Sequence, residues 1–263
     1  PSKMSILEKD GKIYGLPWDS APAGIFYRRD YFEKAGVNPN DIKTWDDYIE
    51  AGKKVLDATG KKMLPINYTG DDALYFNKKG EVQINSPKAA KAMKIISEMI
   101  EAGITLNAPD WNTFVTSTKN GRVATVPFGV WWGGTLKDQM PELAGKFGVI
   151  PCPAVEPGGN RATNLGGSNL LIPSSTDVPE AAWKFVENAL ATKEGQTIMY
   201  KNFALFPSYI PAYEDPYFEE GDPYFDGQKV SKLFSNMVPN IPKVYYGPNH
   251  EEARQFVINA KAA

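Results

Sequence analysis

The chain has 263 residues, and its 29 basic and 31 acidic side chains give a formal net charge of −2, which argues against broad electrostatic binding to nucleic acid. Hydrophobic residues at 42% indicate a globular protein with a core, and no run of about twenty apolar residues provides a membrane-spanning helix. One cysteine, Cys152, and one histidine, His250, exclude an internal disulfide, a cysteine-based metal cage and any mechanism that needs two imidazoles.

Start and stop signals predict the helices. Thr44 to Asp47 has the spacing of a capping box, and that helix ends before Gly60. Ser86 followed by Pro87 starts a second helix, and the spacing after Asp177 predicts a third helix start of the capping-box kind. The predicted long helices cover 44–58, 86–103, 177–190 and 249–260, and the shorter ones cover 30–35, 110–119, 194–202 and 228–238.

Short strand-like segments alternate with these helices. Each is bounded by Gly, Pro or Asn, and they lie at 13–16, 25–28, 64–67, 123–126, 147–150 and 169–172. Short strands that alternate with amphipathic helices are typical of an α/β protein.

Aromatic residues outside the periodic segments indicate a ligand site. They lie in loops or at strand ends, where α/β proteins bind ligands, and they include Trp18, Trp131, Trp132, Phe206, Tyr245 and Tyr246. Aromatic rings suit the C–H faces of sugars, while Asp and Asn side chains bind hydroxyl groups. A single tryptophan more often packs than binds, so the argument depends on several of them together.

Two glycines, Gly166 and Gly167, precede the strand-like segment at 169–172. They would let a ligand approach the backbone closely, although an ordinary turn is the alternative interpretation.

Motifs for catalysis are missing from the sequence. It has no nucleophile elbow, no P-loop and no G-x-G-x-x-G, so we expect a binding protein without enzymatic activity, cofactor or resident metal. Two alternatives remain open at this point. One is a glycoside hydrolase that uses carboxylates among Asp19, Asp71 and Asp72.

The other alternative is a ferric-ion transport protein. The adjacent tyrosines Tyr245 and Tyr246 are similar to the paired tyrosinates of ferric-ion binding proteins, and His250 lies near them in sequence.

Eight short motifs follow one another along the chain. They are DGKIYGLP at 10–17, FYRRDYF at 26–32, AGV at 35–37, KTWDD at 43–47, GRVA at 121–124 leading to Trp131, NLGG at 164–167, AAWKF at 181–185 and VPNIP at 238–242. Each is weak alone, whereas their order and spacing together are specific. In this order they resemble a known family, the bacterial extracellular solute-binding proteins (family 1, maltose-binding-protein-like) of carbohydrate ABC transporters.

The resemblance implies a two-lobed α/β fold of the periplasmic-binding-protein type (type II), with the ligand cleft between lobes that close about a hinge. Lobe one would comprise 1–21 and 152–197, in incomplete form, and lobe two 22–151 and 198–263. Relatives carry further residues before the first motif and after the last one, so the resemblance implies a fragment or a sequence with gaps. We therefore expect residues 1–263 to be poorly soluble in isolation.

The resemblance also implies the partners: a monosaccharide or oligosaccharide, and a membrane ABC permease. The protein would be a monomer, lipid-anchored on the extracellular face of the cytoplasmic membrane or periplasmic. The stretches 224–230 and 245–248 are similar to those of relatives that import arabinose- or xylose-type oligosaccharides.

Carried over residue by residue, the resemblance makes Trp131 a stacking residue and places the backbone of Gly166 and Gly167 against the sugar. It places Tyr245, Tyr246 or His250 where an aromatic side chain faces the cleft. With the aromatic argument above, the candidate ligand-binding residues are Trp18, Asp19, Asp72, Trp131, Trp132, Asn164, Gly166, Gly167, Phe206, Tyr245, Tyr246 and His250.

Overall fold

The computed structural model describes residues 2–66, 75–77, 79–244, 246 and 248–262. Its internal contacts divide the chain into two units. Unit 1 comprises 1–24, 128–145 and 162–244, and unit 2 comprises 25–127, 146–161 and 245–263. These boundaries differ from those of the predicted lobes, because 198–244 packs within unit 1. The lobe boundaries themselves remain a prediction.

The helices and strands of the described residues follow one another in mixed order along the chain. The helices are α1 (Arg29–Lys34), α2 (Trp45–Thr59), α3 (Pro87–Glu101), α4 (Trp111–Lys119), α5 (Trp132–Gln139), α6 (Pro179–Leu190), α7 (Lys193–Phe203), α8 (Val230–Met237) and α9 (His250–Ala262). The strands are β1 (Glu8–Lys9), β2 (Lys12–Ile13), β3 (Leu16–Pro17), β4 (Pro22–Arg28), β5 (Leu64–Ile66), β6 (Thr105–Asn107), β7 (Thr125–Gly129), β8 (Phe147–Pro151), β9 (Thr163–Asn164) and β10 (Asn169–Leu170).

The caps predicted for α2 and α3 are confirmed. The Thr44 hydroxyl accepts from the Asp47 backbone N–H at 3.2 Å, and the Asp47 carboxylate accepts from the Thr44 N–H at 2.8 Å. Gly60 ends α2 in the left-handed conformation (φ 68°), which glycine adopts without a steric penalty. The Ser86 hydroxyl accepts from the Ala89 N–H at 3.3 Å at the start of α3. Local side-chain chemistry therefore determines where these helices begin.

One predicted helix start is wrong, and one helix has no counterpart among the predicted helices. The N-cap of α6 is Val178 without a side-chain hydrogen bond, and not Asp177. The residue before a proline avoids the helical region, so the helix starts at Pro179 instead. The sequence around helix α5 gives a weak helix signal, since glycines such as Gly133 and Gly134 disfavour a helix. In the structure Leu136 on α5 is fully buried, and this burial stabilises the helix despite its glycines.

The strands form small sheets. β1 and β2 are an antiparallel hairpin, β3 pairs antiparallel with β10, and β5 pairs in parallel with β6. The largest sheet has the order β7–β4–β8, and β9 pairs antiparallel with β4. The strand predicted at 13–16 is divided, since Ile13 ends β2 and Leu16 begins β3. β3 and its partner β10 hold the segments on either side of the candidate site.

Each unit has its own core. In unit 2 the buried Tyr48 hydroxyl hydrogen-bonds Thr125 Oγ1, which in turn donates to the Met63 carbonyl at 2.8 Å. In unit 1 the ring of Phe206 lies 5.2 Å from that of Tyr200, between ring centroids. This buried aromatic contact ties α7 to the segment that follows it, and the Ser20 N–H, which donates to the Phe206 carbonyl, joins that segment to the N-terminal part of unit 1.

Candidate functional site

Eight of the predicted ligand-binding residues lie in unit 1, where three distant segments meet. The Trp18 N–H donates to the Ser168 carbonyl at 2.9 Å, and the Ser168 N–H donates to the Asp19 carboxylate at 2.6 Å. On the other side, the Ser20 N–H donates to the Phe206 carbonyl at 2.8 Å. We call the residues gathered here the unit 1 site: Trp18, Asp19, Trp131, Asn164, Gly166 and Gly167.

The indole ring of Trp131 is fixed through its N–H group and remains partly exposed. Its indole N–H donates to the Leu165 carbonyl at 3.2 Å, and the Phe128 ring packs against it edge-on, with 4.6 Å between centroids. A Cβ on Gly166 would lie 3.6 Å from the indole nitrogen, so the ring lies directly beside this glycine backbone. An indole fixed by a hydrogen bond and a packed neighbour loses little entropy when a ligand covers it.

The backbone of the glycine pair has a conformation that residues with a side chain rarely adopt. Gly166 and Gly167 have φ values of 93° and 87°, and a Cβ on Gly167 would lie 2.7 Å from the Asp19 carbonyl oxygen. Asn164 holds this turn, because its side-chain N–H donates to the Gly166 carbonyl at 2.8 Å and its oxygen accepts from the Ala21 N–H at 3.0 Å. Asn164 therefore shapes the site even before any ligand contact.

A lysine that the sequence did not indicate adjoins this turn. The Lys3 ammonium donates to the Asp19 carbonyl. Burial lowers the pKa of Lys3 to about 8, although the nearby Asp19 carboxylate acts in the opposite direction. No sequence motif could have identified Lys3, since its position depends on the packing of the N-terminal 3₁₀ turn, Ser2–Ile6.

Three of the predicted residues are buried in unit 1. Asp19 is 6% exposed, and its carboxylate accepts from the Ser168 N–H; the other two are aromatic residues. Trp132 and Phe206 are both 0% exposed. Phe206 lies within ring contact of Tyr200, Tyr213 and Phe218. Their rings therefore offer no exposed face in this structure and serve as packing behind the site. Aromatic residues next to loops can therefore pack in the core where short segments meet, and their position in the sequence does not distinguish this role from ligand binding.

The remaining predicted residues belong to unit 2 or lie outside the described residues. Tyr246 and His250 have ring centroids 4.5 Å apart, and the buried Tyr75 ring is 5.0 Å from His250. Asp72 and Tyr245 lie outside the described residues, so the structure does not place them.

The described part of the chain has neither a metal-binding cluster nor a membrane-spanning helix. No cluster of three or more His, Cys, Asp or Glu side chains suited to a metal ion occurs there. Each helix of that part is too short or too polar to cross a membrane.

Comparison with known proteins identifies the class to which this fold and site belong. Residues 2–221 match the family model described as bacterial extracellular solute-binding protein. The chain belongs to this family, as its motifs predicted.

Individual relatives make the match more specific. The chain is 29% identical to an arabinooligosaccharide-binding protein of Bacillus subtilis, over 97% of this chain and 63% of that protein. It is 30% identical to a lactose-binding protein of Rhizobium radiobacter, over 93% of this chain and 61% of that protein. The chain thus spans somewhat over three-fifths of the length of these curated relatives.

The fold is confirmed by a solved structure, an ABC transporter associated binding protein from B. animalis subsp. lactis in complex with beta-1,6-galactobiose. That protein matches 100% of this chain over 71% of its own length, with a TM-score of 0.82 at 23% identity. The α/β fold is therefore that of the type II periplasmic binding proteins, as the sequence predicted.

Proposed function

We propose that this protein binds a sugar or oligosaccharide without changing it chemically and delivers it to an ABC import permease. The observation that carries the proposal is the position of Trp131 beside the backbone of Gly166, the first residue of the glycine pair. A partly exposed indole supplies an apolar face for a sugar ring, while a glycine backbone at this distance leaves room for the ring and can hydrogen-bond its hydroxyls. Asp19 is buried, and its carboxylate accepts from the Ser168 N–H, so it supports the segment that follows the glycine pair.

The names of the relatives support a sugar ligand. The two curated relatives are named for arabinooligosaccharide and lactose, and the solved relative holds a galactobiose. We infer a di- or oligosaccharide of the arabinose or galactose type as the ligand of this chain. The family name further supports an extracellular site of action, either lipid-anchored or periplasmic, and we propose that the protein acts as a monomer.

The two alternatives receive less support. A ferric-ion site would rest on Tyr246 and on Tyr245, which lies outside the described residues, and it would leave Trp131 without a role. A glycoside hydrolase would need a second carboxylate across the substrate from Asp19, and its other candidates, Asp71 and Asp72, also lie outside the described residues. The relatives are named as binding proteins.

A thermal-shift panel tests the proposal. Purified protein is heated with arabinotriose, lactose, beta-1,6-galactobiose, maltose or ferric citrate. A ligand present at 100 times its Kd adds about 2.7 kcal/mol to the free energy of unfolding, so one or more of the sugars should raise Tm, and ferric citrate should not.

Incubation with a chromogenic glycoside provides the companion assay, and no release of the chromophore is expected. A coloured ferric complex or turnover of the glycoside, together with no shift by any sugar, would replace the proposal by the corresponding alternative.

A further inference from the structure

Gln196 on α7 is a polar side chain in the interior of unit 1, only 1% exposed. Its side-chain N–H donates to the Trp18 carbonyl at 2.8 Å, and its oxygen accepts from the Ser208 N–H at 2.7 Å. Both ends of the amide are therefore satisfied. The opposite orientation would bring the amide N–H groups against the Ser208 N–H, so the contacts determine the orientation of the side chain.

The same helix holds Trp18 at a second point. Met199 lies three residues after Gln196, on the same side of α7, and its Sδ accepts from the Trp18 indole N–H at 3.0 Å. Thus α7 binds the Trp18 backbone through Gln196 and its ring through Met199. Trp18 as a whole is 36% exposed.

Gln196 also connects two segments that flank the unit 1 site. The Ser20 and Ser208 hydroxyl oxygens are 2.9 Å apart, which ties the same two segments on the far side of Asp19. Loss of the Gln196 amide would leave the Trp18 carbonyl and the Ser208 N–H without this partner at a partly buried position, where an unmade hydrogen bond is costly.

We propose that Gln196 is a positioning residue for ligand binding, which fixes Trp18 in the orientation that receives the sugar. The proposal rests on the proposed function, because it assigns Gln196 to the same site. Gln196 itself is too deeply buried to contact a ligand, so its effect passes through Trp18.

Two substitutions separate the hydrogen bonds from the volume of the side chain. Gln196→Met keeps a similar volume and removes both hydrogen bonds. In Gln196→Glu the introduced carboxyl group can still donate to the Trp18 carbonyl and accept from Ser208 while it is protonated, but it loses the donor when it ionises. The charge-matched and shape-matched controls are Gln139→Glu and Gln139→Met, because Gln139 is an exposed residue of α5 in the same unit.

The first readout needs no ligand. Acrylamide quenching of Trp18 fluorescence, taken as the difference between each variant and its Trp18→Phe counterpart, measures how firmly the indole is held at 25 °C. We expect stronger quenching in Gln196→Met and wild-type quenching in Gln196→Glu at about pH 5, where a buried carboxyl group stays protonated. Unchanged quenching in Gln196→Met overturns the proposal, whatever the sugar results. If that variant does not fold, quenching in Gln196→Glu at about pH 5 that differs from wild type overturns it instead.

The second readout is the Kd for arabinotriose and for lactose by titration calorimetry. We expect binding about tenfold weaker in Gln196→Met, recovery in Gln196→Glu at about pH 5, and no change in the Gln139 variants. Wild-type affinity in Gln196→Met, despite altered quenching, overturns the role in ligand binding. If wild-type protein binds neither sugar, the proposed function fails for these ligands, and the quenching result alone decides whether Gln196 positions Trp18.

Discussion

The indole N–H of Trp131 donates to the backbone carbonyl of Leu165, 3.2 Å away and 34 residues later in the chain. This hydrogen bond joins the start of α5 to the turn that contains Gly166 and Gly167. It places the indole beside the backbone of Gly166, which carries no side chain, and it therefore links an aromatic surface to backbone hydrogen-bonding groups in one site.

Trp131→Ala should weaken sugar binding by at least about 1 kcal/mol, because it removes the apolar face and the group that orients the glycine turn. Titration calorimetry with arabinotriose and lactose measures the loss. Trp183→Ala is the matched control, since Trp183 is 46% exposed on α6 in the same unit and outside the site. Unchanged affinity in Trp131→Ala would remove Trp131 from the binding site.

Gly129→Ala should disturb Trp131 without touching its side chain. The added Cβ would lie 2.7 Å from the indole nitrogen and 2.8 Å from the Leu165 carbonyl oxygen, so one of them must move. We expect a loss of about 1–3 kcal/mol in stability, with weaker sugar binding. In the control Gly134→Ala the added Cβ meets Ala204 at 2.9 Å instead, so stability should fall while Trp131 fluorescence stays as in the wild type. Equal fluorescence changes in both variants would contradict this prediction.

The buried ammonium of Lys3 predicts a pH dependence of stability. Its pKa is lowered from 10.5 to about 8, first by burial. Between these values the unfolded chain binds a proton that the folded chain does not, so this group makes the free energy of unfolding rise with pH across that window. Urea unfolding at about pH 7 and about pH 10 should show a smaller rise in Lys3→Met than in the wild type.

Lys9→Met serves as the control, because Lys9 is exposed and its replacement should leave the rise as it is in the wild type. A rise of the same size in Lys3→Met and in the wild type would show that Lys3 does not cause it.

Thr44→Ala should destabilise unit 2 by about 1 kcal/mol, because the Asp47 N–H loses its acceptor at the start of α2. The hydrogen bond from the Thr44 backbone N–H, and after it the one from the Thr44 side chain, also lowers the pKa of Asp47. Asp47 therefore stabilises the folded state fully when the pH is above the ordinary pKa of an aspartate. This contribution to the free energy of unfolding is lost as the pH falls through the lowered pKa of the folded state. Thermal unfolding of Thr44→Ala should show less acid dependence than the wild type, whereas the exposed Thr116→Ala on α4 should retain it.

Local sequence signals determined much of the fold. Thr44, Ser86 and Gly60 define helix ends through contacts within a few residues, so the sequence alone predicts where these helices begin or end. Helix α5 could not be predicted in this way, because its stability comes from the burial of Leu136 in the tertiary structure. The order and spacing of the family motifs likewise sufficed to identify the family.

The unit 1 site shows the same division. The sequence by itself identified Trp131 and the glycine pair as ligand-binding candidates, since residue type and loop position indicate an apolar face beside an open backbone. The tertiary structure alone decided that Phe206 is enclosed by aromatic rings, and that Lys3 and Gln196 brace Asp19 and Trp18. The physical reason is that burial and buried hydrogen bonds depend on which distant segments meet, and the order of residues along one segment does not encode that.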